Sequence, residues 1–153
     1  MADGLELENQ VCFALYSATR AVTQLYRPVL DALGLTYPQY LVMLVLWECG
    51  PVSVKRLGEE LALDSGTLSP LLKRLEAHGC VRRERSTVDE RSVLVHLTAA
   101  GAALRARACG VPCRIAGATG MPLVELDALR QNLVRLTESV TAHKLTPEEG
   151  DQP

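Results

Sequence analysis

The side chains with the widest chemical reach in this 153-residue chain are five cysteines, Cys12, Cys49, Cys80, Cys109 and Cys113. Cysteines can staple a chain, hold a metal or attack an electrophile as thiolate, and spacing separates these uses. An odd number at irregular intervals is a poor disulfide framework, and no Cys-x-x-Cys pair suggests a zinc knuckle. His78, His96 and His143 have no cysteine partners at ligand spacing, which argues against a metal sensor. Cys49, inside an apolar helix, is expected to be a small core hydrophobe.

A second set of residues could meet nucleic acid. Wound as a helix, the stretch after Asp64 buries Leu68, Leu71, Leu72 and Leu75 and turns Ser65, Thr67, Ser69, Pro70, Lys73 and Arg74 outward. Short hydroxyl side chains let a backbone approach closely, and Lys73 and Arg74 can meet phosphates or guanine. Further on, Arg91 stands in a polar segment and is long enough to enter a minor groove, while Asp89 can accept hydrogen bonds from an arginine and hold that segment in shape. Composition does not advertise such a role. The net charge is −2, and Lys55 to Arg91 holds eight Lys/Arg against seven Asp/Glu, so the fold must sort the cations onto one face.

These residues need elements to position them. Val11, Leu15, Ala18, Val22, Leu25 and Val29 recur at helical steps, predicting a first long helix from near Glu8 or Asn9 that Pro28 kinks or ends and Gly34 stops. Thr36-Tyr37-Pro38-Gln39 reads as a capping box before an almost wholly apolar helix that ends at Gly50-Pro51. Ser53 can cap a short helix carrying Leu57 and Leu61 inward, and Asp64 or Ser65 can cap the next, which Gly79 ends. Only three or four residues separate them, as a helix-turn-helix requires. Val81 to Arg85 and Ser92 to Leu97 then predict two short strands joined by a polar, exposed hairpin. Thr98 can cap a further helix, interrupted around Gly110 and Pro112, and a last helix starts near Pro122.

On that last helix Leu126, Leu129, Leu133, Leu136 and Val140 follow steps of three and four, a coiled-coil-like stripe matched by the one on the first helix. The stripes can pack together within one subunit or across a two-fold axis. A homodimer is favoured, because helix-turn-helix proteins usually read two half-sites with two copies. The expected fold class is mainly α with a small β-hairpin wing. Apolar residues at 48% and charged ones at 22% suit a soluble globular chain, and no signal peptide or membrane-spanning run stands out, so a cytoplasmic setting is expected.

The order of elements, with Asp89-Glu90-Arg91-Ser92 followed by Leu97-Thr98-Ala99-Ala100-Gly101, resembles the MarR family of winged-helix repressors. Ser65 to Glu76 resembles that family's recognition helix, and the likeness spans residues 9 to 140. It implies a single MarR-type chain, with helical dimerisation regions at 9–50 and 98–143 and a winged-helix DNA-binding region at 51–97. Its partner would be palindromic operator DNA. Arg91 would be the wing arginine and Asp89 its supporting carboxylate.

Asn9-Gln10-Val11-Cys12-Phe13-Ala14-Leu15-Tyr16, Tyr26-Arg27-Pro28 and Leu35-Thr36-Tyr37-Pro38-Gln39-Tyr40 are similar to the OhrR subgroup, whose members sense organic hydroperoxides. The resemblance implies that Cys12 is the peroxide-reactive thiol, contacted by Tyr26 and Tyr37 of a second subunit. It also implies oxidation to sulfenic acid, resolved by a second cysteine or by a small external thiol. Cys113, after the Gly110-Val111-Pro112 break, is the first candidate for resolution and Cys109 the second. No cofactor is implied. Two other readings remain: a MarR-type repressor released by a phenolic or other small molecule, and a thiol peroxidase, for which no recycling pair with catalytic spacing is visible.

Overall fold

A computed structural model of the chain describes residues 4–89 and 91–143. Glu90 of the wing string and most of both tails lie outside them. After one 3-10 turn, Leu7–Asn9, helix α1 runs Val11–Asp31. Of the two outcomes expected at Pro28, a kink or an end, the helix does not end there, and the stop falls at Gly34 as expected. The proline forfeits one backbone bond, a defect worth about 3 kcal/mol in a helix interior. Burial of Val29 and Leu30 holds the final turn in place. Beyond it the chain closes a Schellman motif, with Gly34 at φ +69°, its N–H on Asp31 O and that of Leu35 on Leu30 O.

Helix α2, Tyr37–Cys49, starts from the expected capping box: Thr36 N–H donates to Gln39 Oε1 at 2.8 Å. Its Val42, Met43 and Leu46 lie at the centre of the core. Cys49 is exposed, not a core residue, because the helix ends there and the chain leaves through Gly50 at φ +74°. Helices α3, Val54–Leu61, and α4, Ser65–Ala77, are separated by three residues. Ser53 Oγ caps the first through Arg56 N–H, and Asp64 Oδ1 caps the second through Thr67 N–H. Leu57, Leu68, Leu71, Leu72 and Leu75 are all buried, and Gly79 ends α4 with a second Schellman motif.

The sheet has three strands rather than two. Strands β2, Val81–Arg85, and β3, Val93–Leu97, form the expected hairpin, and β1, Val52–Ser53, adds to the free side of β3 through Val52↔Val95. Two residues are too few to show alternation, so β1 exists by virtue of its partner. Thr98 caps α5, Ala99–Ala108, by accepting from Gly101 N–H, and donates its hydroxyl to Gly79 O. Gly101 is required here: a Cβ would lie 1.9 Å from Cys80 O. Trp47 of α2 donates its indole N–H to Gly101 O at 2.9 Å, tying α2 to the same corner.

The chain divides into two compact units, one up to Ile115 and one from Ala116. Helix α6, Val111–Ala118, follows the break at Gly110, and α7, Leu123–Ala142, follows Pro122. On α7, Leu129, Leu133, Leu136 and Val140 remain exposed, as do Val11, Val22 and Leu25 on α1.

Candidate nucleic-acid interface and redox site

Helix α4 separates its two faces as the sequence predicts. Ser65, Thr67, Ser69, Pro70, Lys73 and Arg74 are exposed, while its leucines face the core. Thr67 has a structural duty as well: its hydroxyl donates to Asp64 Oδ2 at 3.1 Å, which leaves only its lone pairs for an outside donor. The bonds from Thr67 hold the Asp64 carboxyl below the usual carboxylate range.

The wing tip is shaped by short side chains. Asp89 Oδ1 accepts from the backbone N–H of Arg91 at 3.0 Å, so the carboxylate orders the arginine's main chain and leaves its exposed guanidinium free of that bond. Ser86 Oγ accepts from the N–H groups of Val88 and Asp89, both at 3.2 Å. Sequence reasoning did not single out Ser86, although a serine opening a polar hairpin is a known turn former. Between wing and helix lies a cleft of about 590 Å³, lined by Ser69 and Leu72 of α4 and by Arg83, Asp89 and Arg91. A helix face and an arginine thus border one concave surface.

A second missed feature joins the same two elements. Arg83 of β2 donates through Nε and Nη2 to Glu76 Oε2 of α4, at 3.1 and 2.7 Å, and through its backbone N–H to Glu76 Oε1 at 3.0 Å. These bonds push the Glu76 carboxyl below its ordinary range. The seven-residue separation across Gly79 hides the pair from any helical or strand periodicity.

Cys12 is the second residue of α1 and is exposed. The N-cap residue Gln10 makes no side-chain cap, so the amide N–H groups of the first turn stay available near the thiol. One turn on, Tyr16 receives a hydrogen bond from Arg20 Nη1 at 2.8 Å, with the guanidinium 5.5 Å from the ring centroid. The two tyrosines named from the sequence do meet. The rings of Tyr26 and Tyr37 are 4.6 Å apart, and Tyr40, 6.0 Å from Tyr26, extends the cluster to Trp47 at 6.3 Å. Burial, then the neighbouring phenols, raise the Tyr26 pKa. Beside this cluster, between α1 and α2, opens a groove of about 630 Å³ lined by Thr23, Arg27, Leu30 and Tyr37 among others.

Cys12 itself is not brought to the tyrosines within one chain. Fourteen positions along an unbroken helix correspond to about 21 Å. Cys109 and Cys113 flank the α5–α6 break and are exposed, and Cys80 is half-buried with its thiol pKa raised by burial. All five thiols are free.

Residues 24–106 match the family described as transcriptional regulator SarA/Rot. The organic hydroperoxide resistance transcriptional regulator of Bacillus subtilis is 48% identical over 90% of this chain and 94% of its own length. The chain belongs to the MarR family, in its OhrR group. The HTH-type transcriptional regulator TtmR of Methylorubrum extorquens is 49% identical, over 92% of this chain and 72% of that protein. Among solved structures, reduced AbfR bound to DNA superposes with a TM-score of 0.78 at 34% identity, covering 92% of this chain and 96% of that one. Disulfide-formed AbfR superposes at 0.60 with 36% identity, over 89% and 90% of the two chains. In this MarR-family winged helix, α3 and α4 are the helix-turn-helix and the β2–β3 hairpin is the wing. These relatives are transcriptional regulators, not enzymes, and no helix among the described residues is long and apolar enough to cross a membrane.

Proposed function

We propose that this regulator is a cytoplasmic homodimeric repressor that leaves its operator when an organic hydroperoxide oxidises Cys12. The observation that carries the reading is the Tyr26–Tyr37 ring pair at one end of α1 with an exposed Cys12 at the other. Two α1 helices crossing antiparallel at a two-fold axis would lay each thiol on the partner's tyrosine pair. The exposed apolar stripes of α1 and α7 supply surface for that association. Under this reading residues 9–50 and 98–143 dimerise, and 51–97 bind palindromic DNA through α4 and Arg91.

The chemistry follows from the parts. The Cys12 thiolate attacks one peroxide oxygen, the O–O bond breaks, and the alkoxide leaves as alcohol on gaining a proton, so cysteine becomes sulfenic acid. Tyrosine hydroxyls donating to sulfur favour the thiolate, and their rings suit an alkyl peroxide. A second thiol then condenses with the sulfenic acid, releasing water. Cys113, Cys109 or a low-molecular-weight thiol can serve, and the existence of a disulfide-formed AbfR supports a protein thiol. The changed dimer loses the half-site spacing of about 34 Å.

Fluorescence anisotropy on the promoter DNA, before and after an organic hydroperoxide, tests this with Cys12→Ser in parallel. Release of wild type but not of the variant is expected; release of both removes Cys12 from the mechanism. The groove beside Tyr37 favours one second reading, release by a phenolic or other small ligand, under which Cys12→Ser leaves induction intact.

A further inference from the structure

Arg83 is a cation in the middle of a wing strand and would ordinarily be counted as a phosphate contact. Its Nε, Nη2 and backbone N–H are already committed to one partner. The guanidinium and the backbone N–H both end on the Glu76 carboxylate, so one residue in the last turn of α4 grips the main chain and the side chain of β2 at once. Among the described residues this is the side-chain hydrogen-bonded link between α4 and the wing strands. Opposite Arg83 in the ladder stands Val95, fully buried, whereas Leu94 and Val93, opposite Glu84 and Arg85, are only half-buried, and Thr87, Val88, Asp89 and Arg91 beyond them are exposed. Apolar packing therefore anchors the base of the wing and leaves its outer half to be aimed by other means. Glu76 and Arg83 are each about a third exposed, a setting in which an ion pair adds little to stability but in which three bonds define a geometry.

We infer that Glu76 and Arg83 are positioning residues that set the distance between the reading face of α4 and the wing arginine Arg91, so that both contacts fall on DNA together. The inference rests on the reading that α4 and the wing dock on DNA. A two-groove reader with a loose wing keeps its phosphate contacts yet loses the advantage of making the second contact from a fixed place.

The test compares operator DNA with a random duplex of equal length by anisotropy over a salt series. Glu76→Gln releases Arg83 without removing a cation, and Arg83→Lys keeps the charge but loses the two-point grip. If the pair is a brace, both variants bind operator about tenfold more weakly while binding to the random duplex holds or rises. Arg91→Ala, costly in wild type, then costs less than twofold in the Arg83→Lys background. A direct phosphate contact predicts the reverse: Glu76→Gln binds operator more tightly, Arg83→Lys stays near wild type, and the substitutions multiply. Any of these three results overturns the brace. Melting curves verify that each variant is folded, and two variants with independent chemistry guard against the loss of either. Failure of wild type to prefer any operator would remove the docking reading, and the brace with it.

Discussion

The ring of Tyr26 packs against that of Tyr37 with centroids 4.6 Å apart, joining the last third of one helix to the first residue of the next. The Schellman turn at Gly34 permits that meeting, since it redirects the chain between them. Both phenols belong to one aromatic cluster, and burial, then the neighbouring phenols, raise the Tyr26 pKa above its ordinary value.

Tyr37→Phe removes one phenol hydroxyl without removing the ring. In the dimer we expect oxidation of Cys12 by an organic hydroperoxide to slow about tenfold, the worth of one hydrogen bond to a charged group. Operator affinity of the reduced protein stays within about twofold, since α4 is untouched. Stopped-flow oxidation reads the first quantity, and an unchanged rate would remove the tyrosine from the thiol's surroundings.

Oxidised protein, digested without reductant, is expected to yield a peptide joining Cys12 of one subunit to Cys113 of the other. Cys113→Ser abolishes it. A Cys12–Cys109 peptide, or a mass increment from a small thiol alone, assigns resolution elsewhere.

Leu133→Asp places a carboxylate in the exposed apolar stripe of α7. If that stripe is a dimer surface, burying an unpaired charge there dissociates it. Sedimentation should show a monomer whose helix content is retained, with operator affinity down at least about a hundredfold as one half-site is lost. A dimer unaffected by the change would place the interface elsewhere.

Gly101→Ala tests the corner where α5 meets the α4–β2 turn. The added methyl lies 1.9 Å from Cys80 O, so backbone must move. Overpacking of this kind costs about 2–3 kcal/mol, and the melting temperature should fall by roughly 5–10 °C. A loss of under about a degree would mean that the corner yields freely.

Acid should weaken the fold through Asp64. Its folded pKa lies below the unfolded value because Thr67 bonds the carboxylate. Its contribution is therefore complete above the unfolded value and disappears as pH falls through the lower, folded one. Asparagine caps as well as aspartate but does not titrate there. Asp64→Asn is expected to match wild type in melting temperature near neutrality and to lose less below about pH 4. Parallel curves for the two proteins down to pH 2.5 would contradict this.

The parts legible in the sequence were those decided within a few residues. Thr36 with Gln39, Ser53, Asp64 and Thr98 each satisfy amides within a turn, and Gly34 and Gly79 each stop a helix by accepting positive φ, so the helix ends could be read locally. Cys12, Tyr26 and Tyr37 were named from a recognisable string rather than from any local rule. Cys49 misled, and Pro28 left two outcomes open, for a shared reason: the exit at Gly50 and the burial of Val29 and Leu30 settle their surroundings, and neither is a property of the residue itself. Strand β1, the Tyr26–Tyr37 contact and the Glu76–Arg83 grip required the tertiary structure. Each joins residues that no helical or strand period relates, so only closure of the intervening turns brings them within bonding distance.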